Sequence, residues 1–92
     1  MNTDRTTLHL EQMGQGGRNP WVRVFDLGMR ADDGGCVYGR AVAEDNGHLA
    51  VRYPNRGVVV YKLDTGDGDR VPFGRSGRGD VHVTAVPVMV LP

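Results

Sequence analysis

At 92 residues, 39% of them apolar and 24% charged, the chain can build one small globular domain with a thin core, and it is not a disordered or low-complexity segment. Eleven Lys and Arg balance eleven Asp and Glu, so no long-range field draws the molecule to nucleic acid or membrane. The single cysteine, Cys36, excludes an intrachain disulfide framework and reads as a small buried hydrophobe, and without a signal-peptide pattern or a long apolar run the chain is expected to be soluble and cytosolic.

The apolar period is two almost throughout. Residues 7–13, TLHLEQM, put Leu8 and Leu10 on one face and end at GQGG. Residues 21–27, WVRVFDL, follow Pro20 and alternate Trp21, Arg23, Phe25 and Leu27 against Val22, Val24 and Asp26. The aromatic set, Trp21 and Phe25, is expected to face the core. After the loop RADDGG, residues 36–44, CVYGRAVAE, form a third strand in which Gly39 suggests a bulge.

The strongest local signal is Asn46-Gly47, two residues that accept positive φ between strand-like runs. It predicts a tight hairpin into residues 49–53, LAVRY. PNRG turns the chain again into residues 58–63, VVVYKL. The last strand, residues 81–91, reads VHVTAVPVMVL. Strict alternation places Val81, Val83, Ala85, Met89 and Leu91 on one face and Val86, Val88 and Val90 on the other. Its second half, apolar on both sides, is expected to be covered on both, either within a barrel or at a subunit interface. Pro87 lacks an N–H and favours an edge, bend or bulge.

No segment carries a 3.6-residue apolar stripe. The fold expected over residues 1–92 is therefore a single all-β domain of five to six antiparallel strands, an SH3-like or OB-like small barrel. Residues 1–6 are expected to fray, and residues 64–80 to form a long loop.

That loop, DTGDGDRVPFGRSGRGD, holds most of the chemical candidates. Asp64-Thr65-Gly66 resembles the motif of retroviral-type aspartic proteases, which pair two aspartates across a dimer. Here it lies two-thirds along the chain and is followed by Asp-Gly-Asp where that fold needs packing, so it reads as a turn. Asp64, Asp67 and Asp69 do not have calcium-loop spacing, and the twelfth position is Arg75 instead of Glu. The only serine, Ser76, lacks the second glycine of a nucleophile elbow, and the Arg-Gly-Asp at 78–80 reads as a chance match to the adhesion tripeptide. His9, His48 and His82 show no metal-ligand spacing, although His9 and His82 can meet across neighbouring strands. No catalytic residue, metal site or cofactor is expected, and the chain reads as a non-enzyme.

Three non-enzymatic readings remain. A protein-interaction module would use Arg70, Phe73, Arg75 and Arg78 of the loop, or an interface strand carrying Val86, Val88 and Val90. A nucleic-acid-binding barrel would add Arg52 and Arg56 to the loop arginines; residues 46–92 carry six basic against four acidic side chains. A structural head or tail subunit is the third. The run VYGRAVAEDNGHLAVRYPNRGVVVYKL has the rhythm of an SH3-like barrel meander. In size, its ten Arg to one Lys and its lack of a catalytic signature, the chain resembles the small orphan proteins of bacteriophages of high-GC actinobacteria. Several of those bind a host protein, so the resemblance implies a host protein, or a second copy of the chain, as partner.

Overall fold

The computed structural model describes residues 5–13, 21–30, 34–64 and 80–92. The expectations for Arg70, Phe73, Arg75 and Arg78, and for the side chain of Cys36, lie outside what is described. Six antiparallel strands, β1 (Thr6–Met13), β2 (Trp21–Arg30), β3 (Cys36–Asp45), β4 (His48–Tyr53), β5 (Gly57–Leu63) and β6 (Asp80–Leu91), form a closed barrel. The strand order is β1-β2-β3-β4-β5-β6, so each strand lies beside its sequence neighbours and β6 closes on β1. This plain up-and-down order differs from the Greek-key order of an OB barrel. The strand at the amino end starts at Thr6, paired with Ala85, where fraying through residue 6 was expected.

Turn chemistry sets the meander. Asn46 (φ 53°) and Gly47 (φ 79°) make the left-handed pair of a two-residue hairpin, with Asp45 opposite His48. In the next turn Asn55 takes φ 62° and Gly57 φ 78°. A Cβ on Gly57 would run into the Leu91 carbonyl oxygen, so the glycine lets the turn pass close beneath the end of β6.

The interior is filled by alternate residues: Leu8, Leu10, Val22, Val24, Ala41, Leu49, Val51, Tyr53, Val59, Tyr61, Leu63, Val83 and Ala85. Three expectations are corrected here. Trp21 and Phe25 lie on the outside of β2, half-buried, while Val22, Val24 and Asp26 point inward. Both faces of WVRVFDL carry one charge, and the inward face is the one whose charge finds donors inside the barrel. Tyr53 and Tyr61 already occupy the aromatic volume of the thin core.

Gly39 is not the bulge. It stays in register opposite Val24, and a Cβ there would come within 2.7 Å of the Arg52 carbonyl oxygen and 2.8 Å of Tyr53 Cδ1. The glycine is needed for close packing of β3 on β4. The bulge falls three residues later: Ala41 faces Val51 and Ala43 faces Ala50, which leaves Val42 extra on β3.

The last strand departs from alternation in the same way. Tyr61 faces Pro87 but Val60 faces Met89, so Val88 is the extra residue. Val86 pairs with the outward Lys62, whereas Val90 pairs with the inward Val59. Val86 and Val90 therefore lie on opposite faces, and Met89 and Leu91 on the face opposite Val83 and Ala85. Nor is the second half covered: Val88, Met89, Val90 and Leu91 are 51, 53, 66 and 42% exposed. Pairing with β1 ends at Thr6–Ala85, so beyond it β6 is held only by β5 among the described residues.

Candidate functional sites

Inside the barrel, Asp26 is the one buried charged side chain among the described residues. Its Oδ1 accepts from the Thr6 hydroxyl at 2.5 Å and from the Gly28 backbone N–H at 2.9 Å. The latter is a local contact two residues along β2. Oδ2 accepts from the Tyr61 hydroxyl at 2.8 Å, which leaves the Tyr61 oxygen to accept from the Tyr53 hydroxyl, also at 2.8 Å. Burial pushes the Tyr53 phenol up to about 12, opposed by the Tyr61 hydrogen bond and reinforced by the Asp26 charge. Burial, followed by the bonds and charges of Tyr53 and Asp26, drives Tyr61 further upward. Both phenols stay protonated across the physiological range. The chain of hydroxyls is closed off from solvent and is a structural device that lets a carboxylate sit in the core.

On the outside, cross-strand register assembles a row no single segment contains: Glu11 opposite Arg23, Arg23 opposite Arg40, Arg40 opposite Arg52. Arg23 binds Glu11 Oε1 through Nε and Nη2, both at 2.8 Å. Its guanidinium lies 5.4 Å from the ring centroids of both Phe25 and Tyr38, and Arg40 stands 5.1 Å over Trp21. The adjacent row is aromatic: His82 stacks on His9 at 4.5 Å, His9 meets Phe25 at 5.9 Å, and Phe25 meets Tyr38 at 5.7 Å. The expected meeting of His9 and His82 thus occurs. Among the described residues, no group of three metal-ligating side chains comes together. An open groove of about 490 Å³ runs beside these rows, lined by Trp21, Tyr38, Arg40, Arg52, Pro54 and Asn55 among others.

The third feature is the overhang of β6. Asp64 N–H donates to the Thr84 carbonyl at 2.8 Å, so Thr84 turns its backbone polar groups toward β5. By alternation those of Pro87 turn away from β5, toward the edge that has no partner among the described residues, where its missing N–H costs no ladder bond. Val88, Met89, Val90 and Leu91 lie past it.

Of the residues singled out in the sequence, Arg52 sits in the arginine row and Arg56 in the adjoining turn, while Val86 is half-buried and Val88 and Val90 are on the overhang. The Asp26 network and the arginine row escaped sequence reading. A signal existed for one of them: Arg23 between Trp21 and Phe25 marks that face as one that reaches water. No protein-family model, curated protein or solved structure matches the chain. Among the described residues no helix is long and apolar enough to cross a membrane.

Proposed function

We propose that the chain is a non-enzymatic protein-interaction module that self-associates through the overhanging end of β6. The carrying observation is four consecutive apolar side chains, Val88 to Leu91, each 42–66% exposed, on a strand whose outer edge has no partner among the described residues. Such an edge is a template for another strand. Two copies pairing antiparallel about a two-fold axis would cover each other's edge with the same residues, as closed dimers require. A formal net charge of zero sets up no repulsion between copies.

The four fractional exposures sum to roughly 400 Å² per copy, shared between the two faces of the strand, an amount comparable to the largest, often functional, patch on a small monomer. That is the low end for an interface, so association is weak and concentration-dependent. Pro87 confines strand pairing to the residues beyond it. The resemblance to phage proteins that bind host proteins supports an alternative occupant of the same strand, an edge strand of a host protein.

Sedimentation equilibrium across a wide concentration range tests the reading. The wild-type chain is expected to shift toward dimer, and Val90→Asp to stay monomeric with its thermal midpoint within a few degrees of wild type, because Val90 is 66% exposed. A wild-type chain that remains monomeric at the highest concentration reached ends the self-association reading.

A further inference from the structure

Like charges directly opposite one another on antiparallel strands destabilise a sheet. This barrel sets three arginines in one such row, Arg23, Arg40 and Arg52, with Glu11 at one end only. Glu11 compensates Arg23, while Arg40 and Arg52 make no ion pair among the described residues. The row exists because the bulge at Val42 shifts register: without it Arg40 would face Tyr53 and not Arg52. Bulges re-aim side chains beside functional surfaces. An arrangement that costs stability in the isolated chain gains when an anion lies across it.

The surroundings specify the anion further. Tyr38, 47% exposed, and the Trp21–Arg40 pair border the same groove. Arginine planes and aromatic faces in one groove suit a ligand that alternates phosphates with flat rings. A carboxylate peptide would use the guanidinium groups and leave the rings idle. A duplex would offer phosphates but keep its bases stacked internally. We infer that the outer face of β2–β4 binds single-stranded nucleic acid, with phosphates along Arg40 and Arg52 and an unpaired base on Tyr38. This site lies on other strands than the overhang of β6, which its groove approaches at Gly57 beside Leu91, and it does not depend on self-association.

The test is fluorescence anisotropy of the full chain with labelled ten-nucleotide single-stranded RNA and DNA, a duplex of the same sequence, and polyglutamate. With two phosphates engaged, affinity is expected to fall about 7-fold between 50 and 200 mM salt. Tyr38→Ala is expected to weaken binding by roughly 5- to 150-fold, the cost of one lost stacked base, while Tyr38→Phe keeps it within about twofold. Arg52→Ala is expected to lower the salt slope by about 0.7. Val90→Asp should bind like wild type, which separates this site from the β6 interface. Thermal melts of each variant establish that it is folded. Absence of binding to either single strand at 50 mM salt, tighter binding to the duplex, or equal and Tyr38-dependent binding to polyglutamate overturns the inference.

Discussion

Replacing Tyr61 by Phe removes one oxygen from the centre of the barrel and leaves every carbon contact in place. Two hydrogen bonds end with it: the one donated to Asp26 Oδ2 and the one accepted from Tyr53, both 2.8 Å long. A hydrogen bond to a charged group contributes about 1.5–3 kcal/mol net, and a buried hydroxyl left without an acceptor costs about 1–3 kcal/mol. Asp26 keeps its bonds from Thr6 and Gly28, so the carboxylate is weakened but not abandoned. The expected loss is about 3–4 kcal/mol, a large share of the roughly 5–15 kcal/mol that holds a typical domain together. Urea unfolding should show it as a midpoint lower by about 2 M, with m unchanged near 1.5 kcal/mol/M. The double variant Tyr53→Phe, Tyr61→Phe should be less destabilised than the sum of the singles, because removing the Tyr53 hydroxyl removes the orphan that Tyr61→Phe creates. A Tyr61→Phe loss under about 1 kcal/mol, or strict additivity of the pair, would refute the network as the means by which Asp26 is tolerated in the core.

Two further predictions concern the same interior. Both phenols ionise at higher pH in the folded chain than the ordinary value of 10.0 that the unfolded chain keeps, Tyr53 near 12 and Tyr61 beyond it. Above pH 10 the folded state therefore binds more protons than the unfolded one. Stability is full below pH 10 and falls as pH rises toward 12, by about 1.4 kcal/mol per tyrosine at pH 11, and urea midpoints for wild type and each Phe variant check it. Asp26→Asn should cost far less than Asp26→Leu, about 1 kcal/mol against 3 or more. The amide oxygen still accepts from Thr6 and Gly28, and the amide nitrogen donates to Tyr61, which then donates to Tyr53 with the hydroxyl chain reversed. Equal losses in Asn and Leu, by the same urea titration, would mean that the charge of Asp26 matters and its bonding geometry does not.

The strands were legible because their signals are local. Leu8 and Leu10, Val22 and Val24, and Asn46-Gly47 carry period and turn chemistry within a few residues, and six strands within one residue of the expected starts followed from them. Orientation was harder. In WVRVFDL the larger hydrophobes share a face with Arg23 and the smaller ones share a face with Asp26, so local hydrophobicity pointed the wrong way. What decides is Thr6, Gly28 and Tyr61, which supply donors to Asp26 from the neighbouring strand, from two residues further along β2 and from across the barrel. None of these is visible in the seven residues of WVRVFDL.

Alternation and turn residues by themselves determined an all-β chain of five to six strands in one small barrel, because both act through the backbone of adjacent residues. The tertiary structure decided everything that depends on register. A single extra residue at Val42 brings Arg40 opposite Arg52, and another at Val88 carries Val86 and Val90 to opposite faces. A bulge costs little and leaves no compositional mark, yet every side chain beyond it changes face. The arginine row is the product of such a one-residue shift, the exposed end of β6 follows from β1 pairing no further than Thr6–Ala85, and only the closed barrel fixes where both fall.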